Sequence, residues 1–337
     1  MNKELKNICQ LLMTNKESMD IAIQILSANP KLTTSVSKYF DPLFEKFGCA
    51  YKGGSFHNLK RIIKVIKDIE QDNYTPTQLF WLLEQDKYGP LQDRLLEKTR
   101  LILENIECEE LPQSIGKLTK LKELFFRTSA FKKLPESFGN LTQLTYVSFY
   151  NTQLEMLPES FGNLVQLTKL LLTRNQLKKL PRSIGNLTKL IKLDLTQNKL
   201  ESIPESIGNL TALPELSLKN NQLKKLPRSI GNFTQLIKLD FSNNEINELP
   251  QSIGKLTNLE ELIGENNKLC DIPSSIGDIK KLNILNLSNN DLRELPTSMS
   301  NLTELAELWL VDNDQVFDYV SYDDYQALVP NTQIIFH

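Results

Sequence analysis

The chain of 337 residues is poor in the groups that most enzyme chemistry needs. It has two histidines, four cysteines and two tryptophans, and its charges nearly cancel, with 39 Lys and Arg against 41 Asp and Glu. Each scarcity excludes something. His57 and His337 are the only imidazoles, and neither stands near a cysteine or serine in a nucleophile motif. No H-E-x-x-H, G-x-S-x-G or Walker sequence occurs, and Lys52-Gly53-Gly54-Ser55 lacks the spacing of a phosphate loop. The acidic group Asp312, Asp314, Asp318, Asp323 and Asp324 lacks the spacing of a calcium loop. Cys9, Cys49, Cys108 and Cys270 are scattered with no C-x-x-C pair, as suits four reduced thiols in the cytosol. No apolar run approaches the ~18 residues of a membrane span. The start, MNKELKNICQLLMTNKESMD, has no cleavable apolar core. A formal charge of -2 gives no general attraction to nucleic acid or to an anionic membrane. These absences lead us to expect a cytoplasmic monomer that uses no cofactor or metal, is not an enzyme, and has another protein as its partner.

What the chain does have is repetition. Blocks beginning at Leu118, Leu141, Leu164, Leu187, Leu210, Phe233, Leu256 and Ile279 recur with a constant 23-residue period. One of them, LTKLIKLDLTQNKLESIPESIGN, places Leu187, Leu190, Leu193, Leu195, Leu200, Ile203 and Ile207 at its apolar positions and Asn198 between Leu195 and Leu200. Leu193 and Leu195 alternate with Lys192 and Asp194, as a half-buried strand requires. Asn198 and its counterparts Asn175, Asn221, Asn244, Asn267 and Asn290 are expected to form a buried ladder, whose amides satisfy backbone groups where each strand turns away. A proline recurs from Pro112 through Pro296 and confines the opposite side to extended or single-turn structure. Gly208 is expected to supply a permissive φ before the chain re-enters the next repeat. A single repeat cannot bury its leucines, whereas stacked neighbours can, which makes a solenoid with a parallel sheet on its concave side.

The L-x-x-L-x-L-x-x-N-x-L wording with LPxSIGxL resembles the leucine-rich-repeat family, in particular intracellular proteins of the Ras-pathway scaffold type, their plant relatives and many bacterial repeat proteins. The resemblance covers roughly residues 95 to 313. It implies an α/β solenoid, a curved horseshoe with a concave parallel sheet, that works as a binding scaffold. It leaves the partner open. The asparagines of the N-x-T triplets, Asn140, Asn186, Asn209, Asn232 and Asn301, recur at one repeat position, so turn geometry explains them better than glycosylation does.

Residues 1–94 carry no repeat and read as helices: Lys3 to Met13, Lys16 to Ala28, a weaker one from Thr34 to Phe47, Ser55 to Asp68 and one opened by Thr75-Pro76. They are expected to cap the solenoid and offer a docking surface. Lys60, Arg61, Lys64 and Lys67 make a basic stripe that reads as a solvated face. Residues 95–313 are about ten repeats, the first degenerate. Residues 314–337 are a short C-terminal cap, in which Tyr319, Tyr322, Tyr325, Leu328 and Ile334 to Phe336 supply bulk.

Function should lie on the concave strand positions, which can vary without harm to the core. Lys192, Glu215, Lys238 and Glu261 read as a sign-alternating ladder that neutralises itself. The first four repeats differ. Ile102, Phe125, Tyr146, Tyr150 and Leu171 should cluster there, with Arg127, Lys169 and Arg174 at the margin, a composition typical of protein hot spots. Docking of a partner, cover by the N-terminal helices, and an ordinary cluster of aromatics with no task are the three readings open to this patch. A smaller patch of Ile263, Ile284 and Trp309 is expected to lie under the C-terminal tail. Two other readings remain: a bacterial effector that engages a host protein through the same face, and an enzyme within residues 1–94.

Overall fold

A computed structural model describes residues 3–14, 21–26, 29, 32, 35–36, 38–42, 74–85, 89–106, 108–313 and 321–336. They divide into two compact units, Met1–Lys98 and Thr99–His337.

In the first unit, α1 (Lys3–Thr14) buries Ile8, Cys9 and Leu12, one helical face at i, i+1 and i+4. Residues 21–26 and 38–42 are helical as expected. The expected helix from Ser55 to Asp68, with its basic stripe, lies outside the described residues, as do both histidines. Thr75 caps α2 (Pro76–Leu83) in a reciprocal box: its hydroxyl accepts from the Gln78 N–H, and its own N–H donates to Gln78 Oε1 at 2.8 Å. Pro76 stands where a missing N–H costs nothing. A further helix, α3 (Gly89–Leu96), takes in Leu95, which the repeat period had assigned to the first repeat. Leu91 and Leu95 are both buried, and their i, i+4 spacing outweighs the weak repeat register at this point.

The second unit is one sheet of eleven parallel strands in sequence order, with a 3-10 turn on the opposite side of each repeat. The strands are β1 (Arg100–Glu104), β2 (Glu123–Ser129), β3 (Tyr146–Thr152), β4 (Lys169–Leu171), β5 (Lys192–Asp194), β6 (Glu215–Ser217), β7 (Lys238–Asp240), β8 (Glu261–Ile263), β9 (Ile284–Asn286), β10 (Glu307–Trp309) and β11 (Gln333–Ile335). From β1 to β10 each strand pairs with the next exactly one repeat on, Leu101 with Leu124 and Leu124 with Val147, so equal positions become neighbours. All seven apolar positions of the Leu187 repeat are buried. At about 1.5–3 kcal/mol for each leucine or isoleucine removed from water, this stack is the main source of stability.

The asparagine ladder is present. Asn221 Oδ1 accepts from the Leu200 N–H at 3.0 Å, while its Nδ2 donates to Leu195 O and Leu218 O at 3.0 and 2.9 Å. Asn313 extends the ladder by one rung. Where Ser129 and Thr152 replace asparagine, the strands run on: β2 and β3 have seven residues, against three in β4 to β10. The glycine expectation needs correction. Gly208 has no positive φ; a Cβ there would come within 2.5 Å of the Ser229 Cβ in the next repeat, so close stacking of the turns requires glycine. The left-handed conformation falls instead just before each ladder position, at Asn105, Thr128, Asn151, Arg174, Gln197, Asn220, Asn243, Asn266, Asn289 and Asp312.

The tail adds order rather than bulk alone. Ser321 caps α4 (Tyr322–Leu328) in a box with Asp324, which gives one member of the acidic cluster a structural task. Tyr325 is buried, and β11 pairs with β10 outside the repeat period, with Gln333 opposite Glu307 and Ile334 opposite Leu308. Ile263, Ile284 and Trp309, over which tail cover was expected, are half-buried. There the tail lengthens the sheet, and Ile335 becomes the neighbour of Trp309.

Candidate binding surface

Strands β1 to β4 carry the patch, and their register decides who meets whom. One row runs Arg100, Glu123, Tyr146, Lys169; the next runs Ile102, Phe125, Ser148, Leu171; a third begins Glu104, Arg127, Tyr150. Alternation along each strand turns all three rows to the same face and sends Leu124, Phe126, Val147 and Phe149 into the core, where each is fully buried. Ile102 and Tyr150 are each 43% exposed. Phe125, Tyr146 and Leu171 are half-buried, and Arg127 and Lys169 are exposed. Arg174, in the loop after β4, is exposed too. All eight expected residues therefore fall on one face, and most of them touch.

The contacts are specific. The Phe125 and Tyr146 rings meet edge to face with centroids 4.8 Å apart. Each aromatic has a cation over it: Arg100 lies 5.3 Å from the Phe125 centroid, Lys169 5.7 Å from Tyr146 and Arg174 5.8 Å from Tyr150. Arg174 Nη1 also donates to the Tyr150 hydroxyl at 3.0 Å, and its Nε donates to Gln197 Oε1 at 2.8 Å. Arg127 pairs with Glu104 at 3.3 Å and Arg100 with Glu123 at 3.1 Å. These pairs are exposed and worth at most about 1 kcal/mol each, so their effect is to orient the side chains. Beside the patch, a groove of about 470 Å³ follows the loops that leave the first strands, past Asn105, Thr128, Asn151 and Arg174.

The self-neutralising ladder is only partly formed. Lys238 pairs with Glu261, and this partner raises the lysine pKa above its ordinary value. Lys192, however, lies beside Lys169 in the register, a like-charged pair, and makes no ion pair among the described residues. The repeat spacing already contained that adjacency. Similarly, six asparagines and one aspartate at the ten left-handed positions reveal in retrospect that Arg174 occupies a strained place.

A solenoid with a rigid parallel sheet and a varied solvent face is the architecture of a repeat protein. This chain is a leucine-rich-repeat protein. Residues 136–221 match the family described as a leucine-rich repeat region, residues 234–277 match two-copy leucine-rich repeats, and residues 281–302 match a single repeat. No curated protein matches the chain. Among solved structures, the plant peptide hormone receptor RGFR1 in complex with RGF2 is 29% identical with a TM-score of 0.52, covering 67% of this chain and 41% of the receptor. A TDR receptor is 28% identical with a TM-score of 0.59, covering 69% and 41%. An internalin from Listeria monocytogenes, 18% identical with a TM-score of 0.52, covers 76% of this chain and 92% of its own, and shares the fold. The chain thus spans about two-fifths of either receptor.

Proposed function

We propose that the protein is a non-enzymatic interaction module of the cytoplasm, acting as a monomer, that docks a protein partner on the concave face of its first four repeats. The observation that carries this reading is the edge-to-face pair Phe125–Tyr146, on the solvent face of a rigid sheet with Ile102, Tyr150 and Leu171 around it. Rigid aromatics lose little entropy on binding, and a partner gains by removing their apolar area from water. The guanidinium and ammonium groups at the rim add directional contacts. Likeness to a peptide hormone receptor supports a polypeptide as the partner. Free Cys9, Cys108 and Cys270 accord with a reducing compartment.

The test is site-specific photocrosslinking in native lysate, with a benzophenone amino acid placed at Tyr146 or, as a control, at Asp240. A discrete protein adduct at Tyr146 that is absent at Asp240 is the expected result. Equal crosslinking at both positions refutes the assignment of the site.

A further inference from the structure

Five positions on the sheet carry a cation: Arg100, Arg127, Lys169, Lys192 and Lys238. Arg100, Arg127 and Lys238 each have a carboxylate partner on a neighbouring strand. Lys169 and Lys192 have none among the described residues, and they are register partners, about 4.8 Å apart along the sheet. Like charges directly opposite one another are unfavourable in an isolated sheet. Further along the chain, in the loop after β4, Arg174 holds a left-handed conformation, with φ 59°, where most other repeats place asparagine. That conformation costs a long side chain about 1–2 kcal/mol. Its guanidinium is nevertheless anchored on Tyr150 and Gln197, also without a carboxylate among the described residues. The lysine pair itself adjoins the apolar patch, for the Lys169 ammonium lies 5.7 Å from the Tyr146 ring centroid.

We propose that the Lys169–Lys192 pair, with the apolar patch beside it, recognises an acidic peptide segment in extended conformation. One carboxylate of the segment sits between Lys169 and Lys192, and an apolar side chain two residues away covers Phe125, Tyr146 and Leu171. The spacing follows from the sheet. From the midpoint of the two lysines to Tyr146 is one and a half strand separations, roughly 7 Å. Alternate residues of an extended peptide point the same way and lie about 6.6 Å apart. The recognised pattern is therefore acidic–x–apolar. A carboxylate there meets two cations that have no carboxylate partner among the described residues. The inference rests on the docking face proposed above and names the chemistry of its partner.

A phage-displayed library of random octapeptides, selected on the full chain, tests it. We expect the recovered peptides to be enriched in Asp or Glu two residues from an aliphatic or aromatic residue. Lys169→Glu or Lys192→Glu should weaken the best synthetic peptide by roughly tenfold or more. Exchanging the acid of the peptide for its amide should weaken it on the native chain and scarcely further on Lys169→Glu. Both lysines are exposed, so folding is unaffected, and the melting temperature of each variant verifies this. Peptides that lack an acid, and that depend on Phe125 but not on either lysine, overturn this inference and leave the docking face standing. Peptides indifferent to all of these residues, or no recovered peptide, overturn both. A twelve-nucleotide single-stranded RNA that competes with the peptide through the same lysines overturns the peptide assignment in favour of a phosphate backbone.

Discussion

Gly264 breaks the repeat pattern at a core position where its counterparts are Leu195, Leu218, Phe241, Leu287 and Leu310, and Phe241 explains why. A Cβ on Gly264 would lie 2.3 Å from Cζ and 2.4 Å from Cε2 of the Phe241 ring, far inside contact distance. The ring from one repeat occupies the volume that the next repeat leaves empty, and Phe241 is fully buried. Gly264→Leu alone, which restores the common residue, must expel that ring. Overpacking of this kind costs about 1–3 kcal/mol, and the ring is fully buried, so the upper end applies. Phe241→Leu alone leaves a void beside Gly264 and costs about 2 kcal/mol, below the range for full truncation of phenylalanine. The double variant recreates a leucine stack like that of Leu195 and Leu218, and should lie within about 1 kcal/mol of the native chain. The coupling is then roughly 4–5 kcal/mol in favour of the pair, above the usual range of about 0.5–3 kcal/mol for contacting residues. Urea unfolding of the four proteins, read at constant slope, measures it. Additive effects would refute the idea that the two repeats exchange volume.

Three further outcomes follow from the same structure. Asn221→Leu should destabilise the chain by about 1–3 kcal/mol, because the Leu200 N–H stays buried without an acceptor. By contrast, Lys219→Ala, which removes only a surface pair with Glu265 at 3.9 Å, should stay within about 0.5 kcal/mol; equal losses contradict the ladder. The backbone N–H of Ser183, with that of Arg182, holds the Glu159 carboxyl below its ordinary pKa. Its contribution is therefore complete above the ordinary carboxylate range and lost as pH falls through the depressed value, so Glu159→Gln should flatten the acid limb of a stability–pH curve; an unchanged limb refutes it. All four thiols should be free, with no mass change on reduction. Burial pushes the Cys9 thiol up to about 12, so native alkylation should reach half-exposed Cys270 well before Cys9, and the reverse order would contradict this.

The repeat register was legible because burial imposes it. Leu193 has an apolar core-facing counterpart in every repeat and Leu195 in every repeat but that of Gly264, and an asparagine follows from Asn175 to Asn313, where backbone groups are left at the bend. The eight patch residues could be placed from the same register, since side-chain direction alternates along a strand. The register did not reveal interactions between side chains, such as the cations over Phe125, Tyr146 and Tyr150, which depend on rotamers. Gly208 was misread because a glycine needed for a left-handed φ and one needed for close stacking look identical in a sequence. Leu95 was misread because leucine serves a helix face and a repeat equally well. β11 was invisible because its pairing, Ile334 opposite Leu308, falls out of step with the period.

The central claim, a docking face on the first four repeats, is tested most directly by the Phe125→Ala, Tyr146→Ala double variant. Its affinity for the partner captured by crosslinking and its melting temperature should be measured side by side with those of the native chain. Both rings lie on the solvent face of the sheet, so the melting temperature should scarcely move. Each truncation should weaken binding by about 2 kcal/mol, roughly a thirtyfold loss. Undiminished affinity contradicts the claim outright. A large fall in melting temperature with affinity intact would show that the rings serve the fold instead.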